Sequence, residues 1–321
     1  MSGGILRVGV VGTGALGSHH ARVFAGLLDA KLVSVFDLDP ARARTVGEPF
    51  GAAVAASLDE LIGSVDAAVV AVPTAAHAEV ATRLLQAGRH VLVEKPITST
   101  LEDAEALVAL AAKKGVVLQV GHVERFNPAA EALQRIGTPR FVEVHRLSPF
   151  PNRSLDIDVI LDLMIHDLDL LLALDKSKAV QIDAVGVPVL TDRVDIANVR
   201  IRFESGLIAN LTASRVSAEK IRKFRVFGSR LYASCDFITR QAQIAKLVIG
   251  ESGAPEIRME SIGVGPSDPE SEPLRRQAKA FVGACAGEHP PVVSGADGLS
   301  VLRMAKEILD KMSRMGPTVQ S

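Results

Sequence analysis

Short apolar runs alternate with helix-period stretches through the first third of the chain. Val8–Val11, Lys31–Phe36, Ala67–Val72, His90–Val93 and Val116–Val120 have strand length and are rich in β-branched residues. Ala67–Val72 is apolar throughout, the pattern of a strand covered on both faces. Between these runs the apolar positions recur at helical spacing: Ala21, Val23, Phe24, Leu27 and Leu28, then Ala41–Val46, Ala75–Ala87 and Ala104–Lys114. Asp39 with Pro40, Thr74, and Thr100 with Asp103 stand where helix caps belong, and Gly88 and Gly115 stand where helices end. Repeated strand–helix units predict a parallel sheet with right-handed crossovers over residues 1–121.

After residue 121 the pattern changes. Asn127-Pro128 predicts a helix to about Ile136, and Phe141–Leu147 alternates as a strand does. Two prolines in Ser148–Asp156 oppose regular structure, and Asp158–Leu172 reads as a largely apolar helix. Ala197–Phe203, Leu207–Ser214 and Phe224–Phe227 are β-rich, with a hairpin turn at Glu204-Ser205-Gly206. Residues 250–273 read as a loop, two helices follow near Glu272–Ala286 and Gly298–Ser313, and the polar end Met315–Ser321 is expected to fray. The fold class is therefore α/β: an N-terminal parallel-sheet domain over 1–121 and a C-terminal α/β domain with a mainly antiparallel sheet over 122–321.

A length of 321 residues fits about two domains. A net charge of −1 gives no basic field, so neither nucleic acid nor a membrane surface is expected as a partner. Cys235 and Cys285 make no disulfide framework or zinc set and read as reduced thiols of a cytoplasmic protein. Met1-Ser2-Gly3-Gly4 leads straight into the first strand, so no signal peptide is expected, and no apolar stretch is long enough to predict a transmembrane helix.

The chemistry starts at Gly12-Thr13-Gly14-Ala15-Leu16-Gly17, between the first strand and the first helix. Gly12 permits the sharp turn, Gly14 lets a pyrophosphate approach the backbone, and Gly17 lets the helix pack on the strand. Asp37 ends the second strand twenty residues after Gly17, where an acid suits the ribose hydroxyls of NAD and repels the extra phosphate of NADP. Ligands of such sheets sit at the carboxyl ends of the strands. Besides Asp37 and the glycine turn, those ends carry Pro73, Thr74 and His77, then Glu94-Lys95-Pro96, then Gly121 and His122. The proline after Lys95 restricts the lysine backbone, and a lysine in a partly dry pocket can hold a hydroxyl and stabilise oxygen charge. Taken alone, Lys95 is equally a surface lysine in a turn, and His77 a surface histidine at a helix start.

Asp158, Asp162, His166 and Asp169 are spaced four, four and three apart and share one stripe of their helix. On a helix apolar elsewhere, such a stripe faces a cavity or cleft, and a carboxylate one turn from a histidine suits a general base. Two other accounts fit the same spacing: the solvent face of an amphipathic helix, or a metal site at Asp162, His166 and Asp169.

G-x-G-x-x-G, P-T-x-x-H and E-K-P, in this order and at these spacings, resemble the Gfo/Idh/MocA oxidoreductases, named for glucose–fructose oxidoreductase and inositol dehydrogenase. The resemblance covers essentially the whole chain. It implies a Rossmann domain binding NAD(P), an α/β domain with an open antiparallel sheet, and no metal. It also implies that Lys95, Asp162 and His166 are catalytic, with His166 as acid/base. V-G-H-V-E-R-F-N-P, S-P-F-P-x-R and L-D-L-M-I-H-D-L-D-L resemble the bacterial nucleotide-sugar 3-dehydrogenases of that family. This implies NAD-dependent oxidation of the C3 hydroxyl of a nucleotide sugar such as UDP-N-acetylglucosamine. Arg125, Asn127 and Arg153 would contact sugar or diphosphate beside Lys95 and His166, although an ion pair accounts equally for Arg125 or Arg153. A free sugar, polyol or sugar acid is the alternative substrate, and a non-catalytic NAD-binding sensor the alternative role. Sheets of this family often pair across subunits, which implies a homodimer or homotetramer.

Overall fold

The computed structural model describes residues 4–150, 157–250, 254–263 and 268–314. Residues 151–156 of the expected loop Ser148–Asp156, with Arg153, the N-terminal residues 1–3 and the polar end 315–321 lie outside the described residues. The chain divides into two compact units. One holds the chain through Val123 together with Leu274–Leu302, and the other holds Glu124–Pro273 and the residues from Arg303 on.

The first unit is built in the order β1 (Leu6–Val11), α1 (Ala15–Ala25), β2 (Ala30–Phe36), α2 (Pro40–Gly47), β3 (Ala53–Val54), α3 (Leu58–Ser64), β4 (Ala67–Val70), α4 (His77–Gln86), β5 (His90–Val93), α5 (Leu101–Lys114) and β6 (Leu118–Val120). The six strands form one sheet in the order β3-β2-β1-β4-β5-β6, and their pairings are parallel. This is the doubly wound dinucleotide-binding order. Caps act where the residue types predict. Asp39 accepts from the Ala41 and Arg42 amides ahead of Pro40, Thr100 accepts from Asp103 N, and Gly115 closes α5 at φ 65°. Thr74 does not cap α4. A 3₁₀ turn, Thr74–Ala76, comes first, and α4 begins only at His77. Leu28, placed in the apolar pattern of α1, is 90% exposed.

One boundary needs correction. The helix α7 (Pro273–Ala286), expected in the C-terminal domain, contributes Ala278, Phe281 and Val282 to the core formed by β1, α1 and β2. Phe281 meets Phe24 edge-on, with centroids 6.4 Å apart. Burying an aromatic ring of this size stabilises by about 1.5–3 kcal/mol, which accounts for the return of the chain. Val293 and Ser294 attach beside β6, through Val120 N to Val293 O and a bridge to Gln119.

The second unit carries β7 (Pro139–Leu147), α6 (Ile165–Leu174), β8 (Ala179–Val187), β9 (Ile196–Phe203), β10 (Ile208–Ser214), β11 (Ile221–Gly228), β12 (Leu231–Asp236), β13 (Gln241–Ile249) and β14 (Pro255–Ile262). The sheet order is β14-β13-β12-β11-β7-β10-β9-β8, parallel only between β7 and β10. β14 corrects the expectation of a loop over 250–273. It pairs with β13 over eight residues as an edge strand and is exposed at seven of its eight positions, so it lacks the apolar alternation that marks half-buried strands. The segment Pro128–Arg135 is wound as a 3₁₀ helix rather than an α-helix, with Asn127 capping Ala129 N. The last helix, α8 (Gly295–Arg314), begins three residues earlier than its pattern indicates. Among the described residues no helix is long and apolar enough to cross a membrane, and both cysteines are free.

Candidate active site

Each glycine of the turn after β1 is explained by its surroundings. Gly12 has φ +86°, and a Cβ on it would lie 2.7 Å from the Ala71 carbonyl oxygen. A Cβ on Gly17 would collide with the Gly12 carbonyl oxygen, so only glycine lets α1 start so near the turn. Nothing lies within 4 Å of a Cβ position on Gly14, which leaves that backbone open to a ligand. No side chain caps the first amides of α1, and its first turn holds no acid. Ala15 and Leu16 are exposed there, Leu16 at 47%. Free N–H groups at the positive end of an eleven-residue helix form an anion site. The turn thus fits the pyrophosphate of a dinucleotide.

Asp37 stands beside this turn. Thr13 donates to its Oδ2 from the amide (2.7 Å) and the hydroxyl (3.0 Å), and Asp39 N donates to Oδ1 (2.9 Å). Burial opposes the charge, but these bonds and nearby Arg42 outweigh it and hold the carboxyl below its usual range. Asp37 is therefore a fixed anion where ribose hydroxyls are expected.

At the ends of β4, β5 and β6 the polar residues are tied to each other. Pro73 and Thr74 lie in and before the 3₁₀ turn. His77, expected to face a cofactor, is instead buried, with Nδ1 2.9 Å from the Pro96 carbonyl and Nε2 2.9 Å from the Val72 carbonyl. It fastens the end of β4 to the turn after Lys95. Burial pushes its pKa down against the pull of these carbonyls. Glu94 is buried and meets His20 Nε2 at 2.6 Å. A Cβ on Gly121 would lie 2.8 Å from Glu94 Oε2, so glycine at 121 makes room for the carboxylate. His122 is also buried. Lys95 is half-buried, and its bond to Pro96 is cis.

In the second unit the acids of the helical stripe part company. Residues Ile160–Met164 form a π-helical turn that runs into α6. The wider i→i+5 turn breaks the strict α spacing, and such turns recur at functional sites. Asp158 accepts from Val194 N at 3.0 Å. Asp169 is buried and takes a two-pronged pair from Arg125, Nε at 3.0 Å and Nη2 at 2.6 Å. Asp167 is buried beside Arg146, with both bonds at 2.8 Å, and Arg146 also reaches Glu124 at 3.0 Å. Burial works against the Arg146 cation, but the two carboxylates outweigh it and raise its pKa. Burial raises the pKa of Asp167. Asp195 receives the Val189, Leu190 and Thr191 amides and Arg215 Nε, and is held well below the carboxylate range despite its burial. Asp162 and His166 are left half-buried on this helix.

Two expected substrate residues are engaged within the second unit. Arg125 is engaged by Asp169. Asn127 is buried, with its amide donating to Glu124 and to the Phe237 carbonyl and its oxygen accepting from Ala129 N. Sequence reasoning missed His20, Glu124, Arg146, Asp167 and the Asp195–Arg215 pair. Among the described residues no group of three or more His, Cys, Asp or Glu side chains could hold a metal ion.

The two units thus offer an anion-binding glycine turn and a half-buried lysine in one, and a half-buried Asp-x-x-x-His in the other. Residues 6–122 match the oxidoreductase family model with an NAD-binding Rossmann fold, and residues 129–233 match the Gfo/Idh/MocA C-terminal domain. The chain is 39% identical over 306 residues to UDP-N-acetylglucosamine 3-dehydrogenase of Acidithiobacillus ferrooxidans, covering 94% of this chain and 96% of that one. A solved structure of that enzyme superposes with a TM-score of 0.89 at 38% identity, covering 96% of this chain and 98% of the other. Myo-inositol 2-dehydrogenase of Thermotoga maritima is 27% identical over 331 residues, covering 95% and 97% of the two chains. With both domains matched and the similarity spanning nearly the full length, the chain belongs to the Gfo/Idh/MocA family of oxidoreductases and is an enzyme acting on CH–OH groups.

Proposed function

We propose that this protein oxidises the C3 hydroxyl of a nucleotide sugar to a ketone with NAD, and that UDP-N-acetylglucosamine is the substrate. The observation that carries the reading is the sorting of polar groups on the second unit's helix. Asp167 and Asp169 are buried in arginine pairs, while Asp162 and His166 are half-buried. The 39% identity to an enzyme of that name supports the choice of substrate.

NAD, when bound, supplies the hydride acceptor. The first-turn amides of α1 bind the pyrophosphate, and Asp37 accepts from ribose hydroxyls and repels the 2′-phosphate of NADP. Lys95 donates to the substrate oxygen and stabilises the negative charge that grows on it. His166 takes the hydroxyl proton onto its imidazole, and Asp162 orients that ring and favours its cationic form. The C3–H bond breaks with its electron pair, the O–H bond releases its proton to His166, and the C=O bond forms. Arg153 is the guanidinium proposed for the diphosphate. A homodimer or homotetramer is part of the reading, supported by Ile257 and Met259 standing 73% and 59% exposed on the edge strand.

The test is absorbance at the reduced-nicotinamide band with NAD and UDP-N-acetylglucosamine, with an aminotransferase and amino donor removing the ketone. Reduction of NAD that Lys95→Met and His166→Ala both abolish is the expected result. Full turnover in His166→Ala contradicts the base assignment. NAD binding with no reduction by any sugar nucleotide contradicts the substrate.

A further inference from the structure

The segment that carries Asp162 and His166 is held at both ends by side chains that take no part in the proposed chemistry. At its start stands Arg215, which is fully buried. Its Nε donates to Asp195 Oδ1 at 2.7 Å, Nη2 to the Thr191 hydroxyl at 3.0 Å, and Nη1 to the Ile157 carbonyl at 2.6 Å. Asp195 is itself locked. Besides the amides of Val189, Leu190 and Thr191, it accepts from the Thr191 hydroxyl at 2.8 Å. Val194 adds two bonds, its N–H donating to Asp158 Oδ1 and its carbonyl accepting from Val159 N, both at 3.0 Å. Ile157, Asp158 and Val159 are therefore each fixed by Arg215 or by Val194. At the far end, Asp167 and Asp169 are fixed by Arg146 and Arg125.

Between these clamps lies the wide turn. Ile165 N donates to the Ile160 carbonyl, which closes a hydrogen-bonded loop one residue longer than that of an α-helix. Such a turn persists where its surroundings hold it. With the far end fixed, relaxation to α geometry would carry Ile157–Val159 on by one helical position, roughly 100° of rotation and about 1.5 Å of rise. That movement breaks the bonds at Ile157 O and Val159 N, and it shifts Asp162 relative to His166. We propose that Arg215, locked by Asp195, is a positioning residue: by holding Ile157 against the arginine pairs at the far end, it keeps Ile160–Met164 in the wide turn and so sets Asp162 against His166, a role that rests on the reading of Asp162 and His166 as the catalytic pair. Arg215 acts through the backbone of Ile157. The fork of its guanidinium is what the role needs, since a point charge cannot hold Asp195, Thr191 and Ile157 together.

Arg215→Lys keeps the charge beside Asp195 and loses the fork. Thr191→Val removes one hydroxyl from the same clamp. Val226→Ala, at a buried position of β11 that makes none of these bonds, is the control for lost stability alone. In Arg215→Lys, amide hydrogen exchange over residues 157–166 quickens about tenfold or more. Its kcat with UDP-N-acetylglucosamine falls about tenfold or more, while the NAD Kd and the KM of the sugar nucleotide move less than about threefold. Thr191→Val moves exchange and kcat in the same directions by less. Val226→Ala leaves both near wild type wherever circular dichroism shows it folded. Unchanged exchange in folded Arg215→Lys overturns the role whatever the substrate, and so does quickened exchange with wild-type kcat. Equal losses in Val226→Ala also overturn it, because lost stability then accounts for the effect. If Arg215→Lys does not fold, Thr191→Val decides, and wild-type exchange and kcat there overturn the role. His166→Ala, measured alongside, separates the two levels. Full turnover in it removes the catalytic role of His166 and the role of Arg215 with it. A dead His166→Ala enzyme with an indifferent Arg215→Lys removes only the role given to Arg215.

Discussion

The two units hold their polar groups in different ways. In the first, much of the site is made of backbone: glycines whose missing Cβ atoms admit a carbonyl or a ligand, amides at a helix start, and two carbonyls against the ring of a buried histidine. In the second, it is made of side chains. Four buried acids, Asp167, Asp169, Asp195 and Glu124, are matched by Arg146, Arg125 and Arg215 across long sequence separations. Backbone sites are encoded by short, local residue patterns. Ion-pair sites are encoded by partners that meet only in the fold. The first unit should therefore lose ligand binding when one atom is added, and the second should lose stability when one charge is removed.

Arg146→Met gives the largest expected loss. It leaves Asp167 without its guanidinium in a dry site, which costs about 3–5 kcal/mol of stability in urea titrations. Adding Asp167→Leu to it recovers most of that loss, since an apolar pair replaces an ionic one. Gly17→Ala is the counterpart in the first unit. Its methyl would strike the Gly12 carbonyl, so NAD binding weakens by more than roughly a hundredfold by calorimetry while the second unit's unfolding is unchanged. If Gly17→Ala binds NAD normally, the contrast between the units fails at its clearest point. Asp37→Ser is smaller, raising the NADP-to-NAD ratio of kcat/KM by about tenfold as the repelling charge disappears.

The smallest effect is a pH slope. Burial holds the folded pKa of His77 below the ordinary value of 6.5. The unfolded chain therefore binds a proton that the folded chain does not. Stability is full above the unfolded pKa and falls as pH drops through it towards the folded one, by at most about 1.4 kcal/mol per pH unit. His77→Gln flattens that slope, and denaturation series between neutral and mildly acidic pH read it.

The parallel sheet was legible because its strands are short apolar runs with glycine or cap residues between them, and the roles of Gly12, Gly14 and Gly17 follow from local geometry alone. The burial of His77 was not legible, because its position at a strand end suits a ligand contact as well as it suits the two carbonyls it meets. On the helix, the four-residue spacing of Asp158, Asp162 and His166 suggested one continuous stripe, which the π turn at Ile160–Met164 interrupts. One signal for the buried pairs was present. Arg146 has the same strand parity as Val142 and Val144, both buried, so an inward guanidinium needing an acid could have been read there. Its partner, Asp167, lies 21 residues away and nothing local names it. β14 was missed because an exposed edge strand lacks apolar alternation.

The most direct test follows the hydrogen itself. UDP-N-acetylglucosamine carrying deuterium at C3 is mixed with the enzyme and NAD in a single turnover, and the recovered nicotinamide is weighed by mass spectrometry. Deuterium in the reduced cofactor, absent with His166→Ala, is the result predicted for hydride transfer from C3. Reduced cofactor without deuterium would place the oxidation at another carbon, and no reduced cofactor from enzyme with NAD bound would contradict the nucleotide-sugar reading.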